Sequence, residues 1–313
     1  MIYKKKGGRA MIYTVTFNPA IDYAIGVENL ELGMTNRAAF EQFLPGGKGL
    51  NVSMILHHLG IDNIALGFIA GFTGMEIKRH FEALGGKSDF IELKEGISRI
   101  NIKIKSVQET ELNAIGPVID DESIKMLLNQ LQLLKEGDTL VLAGSIPSSL
   151  SDSLYSDIMK MLADKNIMIA VDATKDLLVN VLQYKPFLIK PNNHELGELF
   201  SVSLNTREDV IPYAKKLQEK GAKNVLVSMA GEGAVLITQT GEVFASKAPK
   251  GVVKNSVGAG DSMVAGFIAG WHEKQDYAHA FKMGVAAGSA SAFSEMLATK
   301  SEIEQVYRCI ELL

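Results

Sequence analysis

The chain has 313 residues, with 32 Lys and Arg against 36 Asp and Glu and a formal charge of −4. This mild acidity argues against a nucleic-acid or membrane-surface binder, which would carry a strong basic excess, and 47% hydrophobic with 22% charged residues excludes a disordered or collagen-like chain. A single cysteine, Cys309, excludes an intramolecular disulfide and suits a reducing compartment, and no uncharged stretch approaches the ~20 residues of a membrane-crossing helix.

In chain order, the first ten residues are basic but precede no apolar run, so no secretory signal is expected and a cytoplasmic location is the simplest reading. Met11-Ile12-Tyr13 repeats Met1-Ile2-Tyr3, so residues 1–10 are expected to be an N-terminal extension and residues 11–313 a single domain. A strand is expected at 13–17 and a helix near 49–59. Residues 98–105 alternate strictly, Ile100, Ile102 and Ile104 against Asn101, Lys103 and Lys105, which marks a strand with one buried and one polar face. From residue 121, helix and buried strand alternate. Ile124, Leu127, Leu128 and Leu131 share one helix face; 139–143 is wholly apolar; Leu154, Ile158, Met161 and Leu162 return to helical spacing; 167–171 and 187–189 read as strands around a helix near 176–183. A hairpin-like pair, 224–228 and 234–238, surrounds Gly231-Glu232-Gly233, and three helical stretches close the chain. The pattern predicts an α/β fold with a mostly parallel sheet covered on both faces. Insertions near 23–43 and 89–113 are expected to form a small β-sheet lid, whose exposed edge predicts a homodimer.

The most informative segment is NSVGAGDS at 255–262. Val264, Phe267, Ile268 and Trp271 have helical spacing, so a glycine-rich turn feeds a helix close to Asp261. Gly258 and Gly260 let backbone N–H groups approach a phosphate, and the helix dipole favours an anion there. Asp261 could be merely an N-cap. Alternatively it is a general base beside an anion hole of the Gly258, Ala259 and Gly260 amides, which phosphoryl transfer requires. A second cluster, Pro45-Gly46-Gly47-Lys48-Gly49-Leu50-Asn51, lacks the first glycine of a Walker A loop and alone reads as a tight turn with a solvated lysine. No G-x-G-x-x-G follows the first strand, which weakens a nicotinamide-dependent oxidoreductase. His194 has no partner at metal-ligand spacing and reads as structural.

Together, GGKGxN and NSVGAGDS resemble the two signatures of the ribokinase-like (PfkB) carbohydrate kinases over nearly the whole chain from Met11. Asn18-Pro19-Ala20-Ile21-Asp22, Ser98 to Lys103, Glu109 to Asn113, Ala143 to Pro147, Lys190 to Glu195 and Ser228 to Gly231 look like landmarks of the 1-phosphofructokinase branch, with tagatose-6-phosphate kinases as near relatives. The resemblance implies a three-layer fold and an ATP- and Mg²⁺-dependent kinase. Asp261 would be the base and the amides of Gly258, Ala259 and Gly260 the anion hole. Asp22, Gly46, Gly47 and Asn51 would hold sugar hydroxyls, and Arg99 and Lys48, with Ser145, the sugar's phosphate. Alone, Arg99 is an ordinary strand cation. Asn192 and Glu195 match the N-x-x-E motif that positions Mg²⁺ through water, with Lys190, Ser228 and Gly231 lining the nucleotide cleft. Gly288 and Ser291 would flank the adenine or, equally, serve close helix packing. Related kinases carry a lysine near Met34 and Thr35, absent here, so Lys48 is expected to supply its charge. Ser98 replaces a common threonine, and Ala114-Ile115 a usual glycine. Fructose 1-phosphate, phosphorylated at O6, is the expected substrate; tagatose 6-phosphate or fructose 6-phosphate at O1 is the alternative. A catalytically silent sugar-phosphate-binding regulator is the different-class reading, and the retained Asp261 speaks against it.

Overall fold

The computed structural model describes residues 10–147 and 149–313. Apart from Ala10, the expected N-terminal extension lies outside the described residues. In chain order the elements are β1 (Ile12–Thr16), β2 (Ala20–Gly26), β3 (Phe40–Gly46), α1 (Lys48–His58), β4 (Asn63–Ala70), α2 (Gly71–Ala83), β5 (Ser88–Leu93), β6 (Arg99–Lys105), β7 (Thr110–Leu112), α3 (Asp121–Gln132), β8 (Thr139–Ala143) and α4 (Leu154–Met161). They continue with β9 (Met168–Asp172), α5 (Lys175–Val181), β10 (Leu188–Ile189), α6 (Asn193–Phe200), α7 (Arg207–Glu219), β11 (Asn224–Ser228), β12 (Ala234–Ile237), β13 (Val243–Ser246), α8 (Ala259–Lys274), α9 (Tyr277–Phe293) and α10 (Lys300–Arg308).

The main sheet has the order β13-β12-β11-β10-β9-β8-β1-β4-β5, parallel from β11 to β5 and antiparallel through β12 and β13. Its central strands are apolar throughout because both faces are covered. In β8, Leu140 and Leu142 join the core beneath α3, α4, α6 and α7, while Val141 and Ala143 join the core beneath α1, α8, α9 and α10. Helix–sheet–helix is the three-layer architecture that the βαβ pattern predicts.

A second sheet, β3-β2-β6-β7, is the lid. One expectation is corrected here: residues 89–93 form most of β5, which pairs parallel with β4 at the edge of the main sheet. The lid part of this insertion begins later, at β6, so the expected insertion starts too early. The lid's polar face is also the more enclosed. Ala20, Asp22 and Ala24 lie beside Arg99, Asn101 and Lys103 in register; Asn101 is buried, whereas Ile100, Ile102 and Ile104 are only half-buried. The polar side chains of β6 therefore face the body of the protein across a cleft.

That cleft lies where the carboxyl ends of β1, β8, β9, β10 and β11 deliver their loops, the general ligand-binding edge of an open parallel sheet.

Candidate active site

Asp261 is the third residue of α8, and the N-cap position belongs to Gly258, whose φ of 78° and ψ of −2° put it in the left-handed region that glycine adopts without strain. No side chain caps this helix start, so Asp261 is not an N-cap. It is 6% exposed, and Asn51 Nδ2 donates to its Oδ2 at 2.7 Å. Burial, reinforced by repulsion from Asp172, pushes the carboxyl up to about 6, against the opposing pull of Lys48, Asn51 and Lys190. Such a group is ionised at neutral pH and still basic enough to take a proton.

The first turn of α8 presents N–H groups with no partner inside the helix. Gly258 shapes the turn, and the Ala259 amide points to Ser256 O at 3.3 Å rather than outward. A Cβ on Gly260 would lie 3.1 Å from Lys190 Nζ, so the Lys190 ammonium rests against this turn. Backbone dipole and lysine thus concentrate positive potential beside Asp261.

Asp172 completes the cluster. It closes β9, is 1% exposed, and its oxygens lie 3.2 Å from Lys48 Nζ and 3.5 Å from Lys190 Nζ. Burial alone would raise its carboxyl, but the two lysines more than reverse this and hold it below the usual carboxylate range. Burial would conversely lower the Lys48 ammonium, yet the carboxylates of Asp172, Asp261 and Glu195 raise it above its ordinary value. Sequence reasoning missed Asp172. Its signal was an acid ending a wholly apolar strand.

Lys48, Gly47, Arg99 and Ser145 share a cavity of about 210 Å³ with Asn18 and Thr174. Arg99 is held by its Nε donating to Asn18 O at 3.0 Å; burial lowers its guanidinium pKa, opposed by Asp22, and it stays a cation in water's pH range. A neighbouring cavity of about 420 Å³ beneath the lid is lined by Asp22, Asn51 and Lys103 among others. Asn101 Nδ2 donates to Asp22 Oδ1 at 3.0 Å. A Cβ on Gly46 would sit 2.5 Å from Asp22 Cγ, so only glycine leaves room for this carboxylate against β3.

On the opposite side, Asn192 and Glu195 form a capping box at the start of α6: Asn192 Oδ1 accepts from Glu195 N at 2.7 Å, and Glu195 Oε2 accepts from Asn192 N at 2.8 Å. The N-x-x-E spacing is first a helix-start device, leaving Asn192 Nδ2 and Glu195 Oε1 for other work. Among the described residues no group of three or more His, Cys, Asp and Glu could hold a metal. The residues present fit a Mg²⁺ carried mainly by nucleotide phosphates and water, with Glu195 and Asp172 Oδ1, which has no hydrogen bond beyond its 3.5 Å ion pair with Lys190, as nearby acceptors. His194 is exposed. Ser228 ends β11 with its N–H on Pro191 O at 3.2 Å, and Gly231 lies in an open turn with nothing within 4 Å of a Cβ.

Gly288 and Ser291 both have packing roles. Both are buried between α8 and α9; a Cβ on Gly288 would lie 3.0 Å from Ala259 O, and Ser291 Oγ bonds Ser262 Oγ and accepts from Ala298 N. These contacts favour helix packing, the alternative reading of that Ala- and Gly-rich run.

The pfkB family of carbohydrate kinases matches residues 15–303. The chain belongs to that family. This pfkB kinase is 47% identical to the 1-phosphofructokinase of Bacillus subtilis (strain 168) over 95% of its own length and 97% of the relative's. It is 36% identical to the D-tagatose-1-phosphate kinase of Bacillus licheniformis, covering 96% and 99% of the two chains. Its fold matches phosphofructokinase-2 from Escherichia coli in complex with fructose-6-phosphate with a TM-score of 0.89 at 25% identity, covering 96% and 99%.

Proposed function

We propose that this protein transfers the γ-phosphoryl group of Mg-ATP to O6 of fructose 1-phosphate, giving fructose 1,6-bisphosphate. The observation that carries the reading is the buried Asp261 beside a positively charged helix start, with an adjoining cationic cavity at Arg99 and Lys48. One positive site suits the transferring phosphoryl group and the other the phosphate the sugar already carries, since a dianion leaving water needs paired charge and hydrogen bonds. The 47% identity to a 1-phosphofructokinase supports the choice of sugar.

In this scheme Arg99, Lys48 and Ser145 hold the 1-phosphate, and Asp22 accepts hydrogen bonds from ring hydroxyls lying against Gly46 and Gly47. Asn51 orients Asp261 through its 2.7 Å hydrogen bond. The O6 hydroxyl gives its proton to Asp261 as the new O–P bond forms and the bond to the leaving ADP oxygen breaks. The Gly260 turn and Lys190 stabilise charge on the transferring group, which is where phosphoryl transfer is most accelerated. Asn192 and Glu195 would hold the Mg²⁺ of Mg-ATP, largely through water, and it would supply neutralising charge to the phosphates, while Ser228 and Gly231 border the nucleotide.

A tagatose phosphate is the second reading, favoured by the D-tagatose-1-phosphate kinase relative. No helix among the described residues is long and apolar enough to cross a membrane, and ATP as phosphoryl donor supports a cytoplasmic location. Half-buried Ile100, Ile102 and Ile104 on the lid face away from the cleft support a homodimer through the lid. Phosphorus NMR of the product tests the reaction: a new phosphomonoester on C6 of fructose 1-phosphate is expected, and phosphate on any other carbon contradicts it.

A further inference from the structure

Lys103 is the second polar residue beyond Arg99 on the cleft side of β6, and nothing in the catalytic scheme uses it. Its Nζ lies 3.1 Å from Asp22 Oδ2, with the two side chains 19% and 21% exposed. The pairing is selective. In register, Lys103 stands opposite Glu111 of β7, an exposed carboxylate, and Asp22 stands opposite Asn101. Among the described residues the ammonium's ion pair is nevertheless with Asp22, reached diagonally across the sheet toward the cleft.

A half-buried pair contributes only modestly to folding. Its effect on the carboxylate is definite. Asn101 holds Oδ1 and Lys103 holds Oδ2, while the Gly46 backbone closes one side. An ionised carboxylate accepts about four hydrogen bonds; two are taken by the lid, and the rest face the cavity. Asn101 donates without balancing charge. When a sugar covers Asp22 and expels water, the carboxylate needs a cation to offset its desolvation, and Lys103 is the cation in contact with it.

We infer that Lys103 is a positioning residue for the sugar: it fixes the Asp22 carboxylate toward the ring hydroxyls and compensates its charge when the sugar binds. The inference rests on the sugar-phosphate kinase reading above. Lys103 acts through Asp22: its ion pair is with that carboxylate and not with Asp261.

The test is a double-mutant cycle on the intact protein, measuring kcat and both KM values for the unaltered chain, Lys103→Met, Asp22→Asn and the pair. Lys103→Met is expected to raise the KM for fructose 1-phosphate roughly tenfold, to change kcat less than about threefold and to leave the KM for ATP in place. In the Asp22→Asn background the same change should add less than about twofold, because neighbours acting through one contact are not additive. Lys103→Arg should restore most of the loss and Lys103→Gln should not, and this pair carries the test if Lys103→Met fails to fold. A sugar-phosphate KM within twofold of the unaltered chain, or an undiminished effect without Asp22, overturns the inference alone. An unaltered chain that turns over no hexose phosphate overturns the underlying reading as well.

Discussion

Two buried carboxylates in one cluster titrate in opposite directions, and this divides their roles. Asp172 is held below the usual range by Lys190 and Lys48 and stays a fixed negative anchor, while Asp261 is pushed up to about 6. Groups driven apart in this way mark the base and its surroundings. Asp261→Asn keeps the size and the contact with Asn51 but removes the base; kcat is expected to fall ~10²–10⁴-fold, and a loss below about threefold would show that Asp261 is not the base. The same variant carries a stability signature. A folded-state pKa raised from 3.8 to about 6 means that the folded protein binds this proton more tightly than the unfolded chain, so the stability contributed is present below about pH 4 and is lost as pH rises through 6. Thermal melts of Asp261→Asn and the unaltered chain should therefore nearly coincide at pH 4 and separate toward pH 7 with Asn the higher; a constant gap or the reverse order contradicts the buried-carboxylate account. For Arg99→Ala, removing one partner of a desolvated ion pair costs on the order of 2–5 kcal/mol. Its kcat/KM for the sugar phosphate should drop by roughly one and a half to nearly four decades, with ATP affinity kept. An unmoved sugar-phosphate KM would shift the phosphate site toward Lys48.

At the scale of elements, the site exists because strand ends and helix starts meet at one edge of the sheet, with the lid laid over them. The β2–β3 pair brings Gly46 beside Asp22 so closely that Gly46→Ala would put a methyl group 2.5 Å from Asp22 Cγ. Gly46 is not among the positive-φ glycines, so alanine meets only this steric conflict. Displacing Asp22 from Asn101 and Lys103 should raise the sugar-phosphate KM roughly tenfold to a hundredfold with little change in the KM for ATP. Equal loss on both substrates would point to a disordered lid instead. Most elements were readable because their signals are local: apolar runs gave β8, β9 and β10, helical spacing gave α3 and α4, and glycine clusters marked the starts of α1 and α8. Residues 89–93 were misassigned because the lid inferred from the alternation at 98–105 was extended upstream over a strand that belongs to the main sheet. The interior Ile face expected of β6 is partly open, since a lid inverts the usual rule and turns its polar face to the ligand.

For the whole molecule, what stayed illegible is what tertiary folding alone creates. Lys48 and Asp172 are separated by 124 positions and Asn51 and Asp261 by 210, and nothing in either segment announces its partner. Asp172 and Lys103 were missed for that reason, whereas Asp261 and Arg99 stood out through motif and resemblance. The lid also carries the assembly prediction: with half-buried isoleucines on its outer face, sedimentation at micromolar concentration should give a dimer, and a monomer would leave that face unexplained. The central claim is that this three-layer kinase phosphorylates a ketohexose 1-phosphate at its far end. Coupled ADP release with Mg-ATP, measured side by side on fructose 1-phosphate, tagatose 1-phosphate, tagatose 6-phosphate and fructose 6-phosphate, tests it most directly. The account predicts the highest kcat/KM with fructose 1-phosphate; a preference for either 6-phosphate, or no turnover on any of the four, would contradict it.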